Sequence, residues 1–292
     1  MTGELLAIIA PVFLAAAVGF VWTRLGYPYD TALITRLLTN VATPCLVFSR
    51  ISDLSIDAGD FATMALISAL AMAAFAVFGF IGIKAMNLPV RDSLPPILFP
   101  NCGNMGLALS LFAFGDVGLA LGIAFFVVGA TTQFTVSPMI ASGKVSLMMI
   151  LRLPLIYATL AAIIVLVFGL KVPAWLLNTT TLLGDFAIPV MLITLGVSLA
   201  GLQVSHLKGS LSVALMRLGI GFSTGLALIE IFALTGAEAG VTLIMCSMPA
   251  AVFNYLFAQR YGENAEQVAG TVILSTAISF VTLPFLLAYV LN

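Results

Sequence analysis

The run FPNCGNMGLALS, from Phe99 to Ser110, sets a proline, two asparagines and two glycines in a stretch that is otherwise hydrocarbon. Proline removes a backbone donor and frees a carbonyl one turn earlier, while glycine lowers the cost of unwinding. An asparagine offers neutral donors and acceptors, and so can hold a carboxylate without burying a full charge. A second run of this kind, SMPAAVFNYLF from Ser247 to Phe257, carries Pro249 and Asn254. Interrupted helices at corresponding places in two halves of a chain point to a transporter's binding site, because their half-helix N-termini bear partial positive charge that suits an anion. The candidate substrate-binding residues are therefore Pro100, Asn101, Gly103 and Asn104 on one side, with Pro249 and Asn254 on the other. The plainer alternative is a proline kink whose asparagines bond neighbouring helices.

Charged groups in apolar surroundings form a second set. Asp185 lies several residues inside GDFAIPVMLI. A carboxylate at membrane depth costs about 2.5–3.5 kcal/mol on insertion scales, so it is a candidate for carrying a coupled proton. Asn40, which precedes Pro44 by the spacing that separates Asp185 from Pro189, is grouped with it. The alternative for Asp185 is a carboxylate near an interface that ties a neighbouring helix. Arg217 reads first as a cation whose stem snorkels to the cytoplasmic interface, the alternatives being that it pairs with an acid or holds an anionic substrate. His206 reads as a solvated histidine in a turn. Cys45, Cys102 and Cys246 fall in apolar runs and read as small buried hydrophobes, with no metal site and no disulfide. Nothing between Cys246 and Phe257 supplies a carboxylate for sodium.

The elements that must position these residues follow from composition. Of 292 residues, 62% are hydrophobic and only 8% charged, which excludes a soluble domain and predicts an all-α integral membrane protein. Polar breaks predict ten spans near 4–23, 31–51, 61–83, 93–113, 117–139, 147–169, 178–200, 207–231, 239–258 and 265–291. The first is read as a span rather than a cleavable leader, since it carries Glu4 in place of a basic segment and continues to Trp22. Arg24, Lys84, Arg91, Lys144, Lys208 and Arg260, with Arg36 and Arg152, gather on one side, which is therefore cytoplasmic. Arg50, Lys171 and the acids Asp53, Asp57, Asp60, Asp116 and Glu238 gather on the other. The even span count puts both termini on the non-cytoplasmic side of the inner (plasma) membrane.

Two halves, 1–143 and 144–292, share features in order: ATPCLVF and AIPVMLI, FPNCGNMG and MPAAVFNY, TVSPMI and TLPFLL. Five spans per half predict an inverted repeat, with spans four and nine broken and crossed at the midplane.

FPNCGNMGLALSLFAFG resembles the fourth helix of the auxin efflux carrier family, which includes plant PIN-type exporters and bacterial malonate and malate permeases. MPAAVFNYLFAQRYG with STAISFVTLP, GDFAIPVMLITLGVSLAG and VATPCLVFSRI resemble its ninth and tenth, seventh and second helices. The resemblance implies a fold akin to the bile-acid sodium symporters. In it, helices 1, 2, 6 and 7 form a scaffold panel through which a homodimer assembles, and helices 3–5 and 8–10 form a transport domain that slides elevator fashion. It also implies that Asn101 contacts a substrate carboxylate. The chain lacks the long central loop of the plant proteins, and Asn104 stands where they usually have an apolar residue.

Together these features predict a secondary active transporter for a small organic anion, with no cofactor and no nucleic-acid partner. A sodium-coupled symporter of the bile-acid type and a channel-like facilitator are the alternatives. An enzyme is disfavoured, because no nucleophile–base pair or metal cluster falls within the spans, and no Walker-type loop marks a pump.

Overall fold

A computed structural model describes residues 2–53, 58–142, 153–203, 206–261 and 264–291. Asp57, Lys144 and Arg152, and the boundary between residues 143 and 144, lie outside the described residues. The chain runs as α1 (Thr2–Arg24), α2 (Thr31–Leu37), α3 (Thr43–Asp53), α4 (Ala58–Ala85), α5 (Val90–Leu98) and α6 (Leu107–Ser142). It continues as α7 (Pro154–Phe168), α8 (Ala174–Asp185), α9 (Ala187–Gly201), α10 (Leu207–Phe232), α11 (Gly236–Ser247), α12 (Val252–Tyr261) and α13 (Ala265–Leu291). Two wide π-turns, Leu38–Ala42 and Cys102–Gly106, connect α2 to α3 and lead into α6. The described residues are all-helical apart from one isolated antiparallel bridge.

Among the described residues seven helical stretches are long and apolar enough to cross a membrane, the longest of them the 39 residues Cys102–Ile140. That stretch is not straight. Gly115 sits at φ 64°, ψ −152°, a backbone region essentially restricted to glycine. The chain folds back there, bringing Gly122 against Leu107 and Ser110 from the preceding segment. The long apolar stretches fall where polar breaks bound apolar runs in the sequence, because each span must bury its backbone hydrogen bonds within itself once water is removed.

The outward faces are hydrocarbon: Phe285, Ile231, Leu182 and Trp175 are all more than 70% exposed, as a lipid-facing surface requires. Inside, small residues set the helix spacing. A Cβ added at Gly19 would lie 1.9 Å from the Ile193 carbonyl oxygen, and one at Gly196 would lie 1.8 Å from that of Ala16, so α1 and α9 touch backbone to backbone. Gly184 of α8 meets the backbone of Leu46 in α3 in the same way.

Candidate functional site

Two of the interruptions meet. α5 ends at Leu98, and α11 ends at Ser247. Between the broken ends the Asn101 amide donates to the Pro249 carbonyl at 2.7 Å, and the Ala251 amide donates to the Phe99 carbonyl at 3.0 Å. Pro100 and Ala250 thus form a one-pair antiparallel bridge. Backbone groups released by the prolines must find new partners in a dry interior, and they do. The Ala250 amide donates to Ser275 Oγ at 3.1 Å. Cys102 Sγ donates to the Met245 carbonyl, one turn before Pro249, at 3.6 Å. The Asn101 carbonyl starts the next helix by accepting from the Met105 and Gly106 amides, each at 3.2 Å.

Arg217, in the middle of α10, completes this set. It is fully buried, and its two terminal nitrogens donate to the carbonyls of Ile97 and Cys246. In unbroken helices those carbonyls would accept from Asn101 and Ala250, whose amides are engaged elsewhere. The guanidinium also lies over the Phe75 ring, 4.0 Å from its centroid. Arg217 therefore does not snorkel to an interface; the two freed carbonyls hold it in the interior.

A cavity of about 130 Å³ lies against the crossing. Pro100, Asn101, Gly103 and Asn104 line it from the first of the two broken segments, and Asn40 lines it from the facing π-turn. Asn101 is only 2% exposed, and its Nδ2 is buried without a hydrogen-bond partner. Leaving such a donor unsatisfied costs about 1–3 kcal/mol, which a ligand acceptor would recover. Phe99, Phe126, Phe134 and Phe253 give the rest of the cavity an apolar wall.

Pro249 and Asn254 stand behind this wall rather than in it. The Pro249 carbonyl is spent on the bridge. Asn254 donates from Nδ2 to the Phe99 carbonyl at 3.1 Å and accepts at Oδ1 from Gln133 Nε2 at 3.2 Å. Gln133 does line the cavity, and sequence reasoning missed it; its signal was a lone amide in an otherwise apolar span.

Asp185 is not brought to the cavity. Its carboxylate is about half exposed and accepts from Arg50 at 2.5 Å, while the same guanidinium reaches Asp116 at 3.2 Å. Asn40 lines the cavity and Asp185 does not.

A smaller cavity, about 30 Å³, adjoins the first and shares Asn104, Met191 and Phe253 with it. Its other walls include the hydroxyls of Thr31, Thr35, Thr194 and Ser198. Thr39 and Thr43 line the larger cavity, so threonines at every fourth position run along both.

An apolar helical chain whose interrupted helices meet beside a polar-tipped cavity has the build of a membrane transport protein. The chain matches the membrane transport protein family over residues 5–145 and 135–287, and it belongs to that family, the auxin efflux carriers. It is 26% identical over 296 residues to an uncharacterized transporter of Methanothermobacter thermautotrophicus, covering 94% of each chain. It is 23% identical over 310 residues to a protein of Rhizobium meliloti provisionally named a malonate transporter, covering 97% of this chain and 95% of that one.

Proposed function

We propose that the protein is a secondary active transporter that carries a small organic anion, a carboxylate, across the cytoplasmic membrane by alternating access, with the substrate held at the crossing. The observation that carries this reading is the unpaired, buried Nδ2 of Asn101 on the cavity wall. Two half-helices begin beside it, at Cys102 and Val252, and the positive ends of their dipoles favour negative charge. The name of the Rhizobium meliloti relative is consistent with a carboxylate.

In this reading the chain crosses the membrane ten times as two inverted five-helix repeats, the short and reversed segments supplying the crossings beyond the seven long apolar stretches. α1, α2–α3, α7 and α8–α9 form the scaffold panel, through which a homodimer assembles, and the remaining helices form the sliding domain. Both termini face the non-cytoplasmic side of the inner membrane. The glycine-mediated contacts of α1 with α9 and of α3 with α8 favour such a panel.

The test is thermal unfolding of the purified protein across a panel of small carboxylates, with and without sodium and at two pH values. A ligand that binds the folded state raises the melting temperature by mass action. A shift given by one acid and absent in Asn101→Ala, whose own folded yield stays near wild type, supports the site. Sodium dependence of that shift would assign sodium coupling, and pH dependence would assign proton coupling. No shift from any acid would remove the carboxylate reading.

A further inference from the structure

Arg217 is a buried cation, and among the described residues no carboxylate lies within ion-pair distance of it. A charge at that depth is costly unless it is matched. What matches it here is the ends of two helices. Ile97 is in the last turn of α5 and Cys246 in the last turn of α11, and both carbonyls accept from the one guanidinium.

Four helix ends meet at the crossing. Each C-terminal end carries about half a negative charge and each N-terminal end about half a positive one. Left alone, the two signs would largely cancel, and a neutral solute would be held as well as an ion. We infer that Arg217 sets the charge sign of the site: it neutralises both C-terminal ends and leaves the N-terminal ends, at Cys102 and Val252, to act on the cavity. What remains is about one positive charge, the complement of a single carboxylate. Arg217 does not line the cavity and is a positioning residue. The inference rests on the carboxylate reading above and assigns its cause.

The local packing is built around this contact. A Cβ on Gly221, one turn after Arg217, would lie 2.3 Å from its Nη2 and 2.2 Å from the Cys246 carbonyl oxygen. Only the absence of a side chain there lets the guanidinium and α11 approach. A lysine could supply the charge, but not a planar fork that reaches carbonyls on two different helices.

The experiment compares acids with their uncharged amides (acetate with acetamide, malonate with malonamide, benzoate with benzamide) by equilibrium binding to the full-length wild type, Arg217→Gln and Arg217→Lys. Amide hydrogen exchange is followed over residues 99–106 and 248–254. The wild type should prefer the acid by about tenfold or more, and Arg217→Gln should lose most of that preference, because an N-terminal helix charge in a partly buried site is worth that order of free energy. Arg217→Lys should keep the preference while exchange rises in both segments together, since the charge is retained and the bridge is lost. A folded Arg217→Gln with undiminished acid preference overturns the inference, as does a wild type that binds the amides better than the acids. If Arg217→Gln does not fold, Arg217→Lys decides: unchanged exchange in the two segments overturns the positioning role, and a joint rise supports it. A wild type that binds no probe at all defeats the carboxylate reading, and the exchange result then decides the role of Arg217 on its own.

Discussion

Asn254 and Phe99, 155 positions apart in the chain, are joined by a 3.1 Å hydrogen bond from the asparagine Nδ2 to the phenylalanine carbonyl. The same carbonyl also accepts from the Ala251 amide, so one oxygen gathers two donors from the opposite broken segment. Replacing Asn254 with leucine removes one of these bonds and leaves Gln133 Nε2 without its acceptor. A loss of about 1–3 kcal/mol in stability is expected, read as a lower melting temperature. Asn254→Leu combined with Gln133→Leu should cost less than the sum of the single changes, because the pair then leaves together.

The hydroxyl-lined walls make a prediction about access. Thr39 Oγ1 donates to the Thr35 carbonyl at 2.8 Å, and Thr194 Oγ1 donates to the Val190 carbonyl at 2.7 Å. Their hydrogens are used, so Thr194 Oγ1 accepts from the Tyr29 hydroxyl at 2.6 Å, and Thr39 presents lone pairs, which suit water. Thr31 and Ser198 belong to the end of the bundle that carries Arg24 and Lys208. In a chain with Cys45, Cys102 and Cys246 replaced by alanine, Thr35→Cys should react with a membrane-impermeant thiol reagent from the cytoplasmic side, and Leu46→Cys, buried in the core, should not. Labelling of Thr35→Cys from the opposite side alone would reverse the proposed orientation.

Arg50 holds Asp185, at the end of α8, and Asp116, just past the reversal at Gly115. Both carboxylates are half exposed or more, and such pairs contribute on the order of 0–1 kcal/mol. Asp116→Asn should therefore leave the melting temperature nearly unchanged. If the proposed panel and sliding domain are divided between these residues, the same substitution should change the rate of carboxylate exchange in proteoliposomes. An unchanged rate would show that the pair does not restrain movement.

At Gly196 the side-chain-free approach to the Ala16 carbonyl leaves no room for a methyl group. Gly196→Val should separate α1 from α9 and cost about 1–3 kcal/mol through overpacking. Reduced folded yield in detergent, measured by size-exclusion chromatography, is the readout. A wild-type yield would mean the two helices part without penalty.

The breaks were legible in the sequence because proline, glycine and asparagine are expensive in lipid, so their positions mark where backbone must find partners elsewhere. Pro100, Asn101 and Pro249 were found in this way, and the bridge between them is where the two breaks meet. Gln133 was not found, and Arg217 was read as snorkelling to an interface rather than turned inward, for a different reason. A single polar residue in an apolar span can face lipid, snorkel or turn inward, and only the neighbouring helix decides which. The carbonyl acceptors that meet Arg217 come from α5 and α11, 120 and 29 positions away in the chain, so no local pattern could name them. Asp185 illustrates the converse: its place inside an apolar run suggested depth, whereas its partner Arg50 lies on another helix.

The bridge at Pro100 and Ala250 is made of main-chain atoms alone. Peptide groups are the same whatever side chains they carry, so the junction places little demand on residue identity beyond the prolines and the small residues that let two backbones approach. The two segments are thereby free to drift apart over generations while remaining joined. FPNCGNMG and MPAAVFNY can differ at nearly every letter and still make the same joint, and the inherited sequence around each break can be spent on telling one cargo from another.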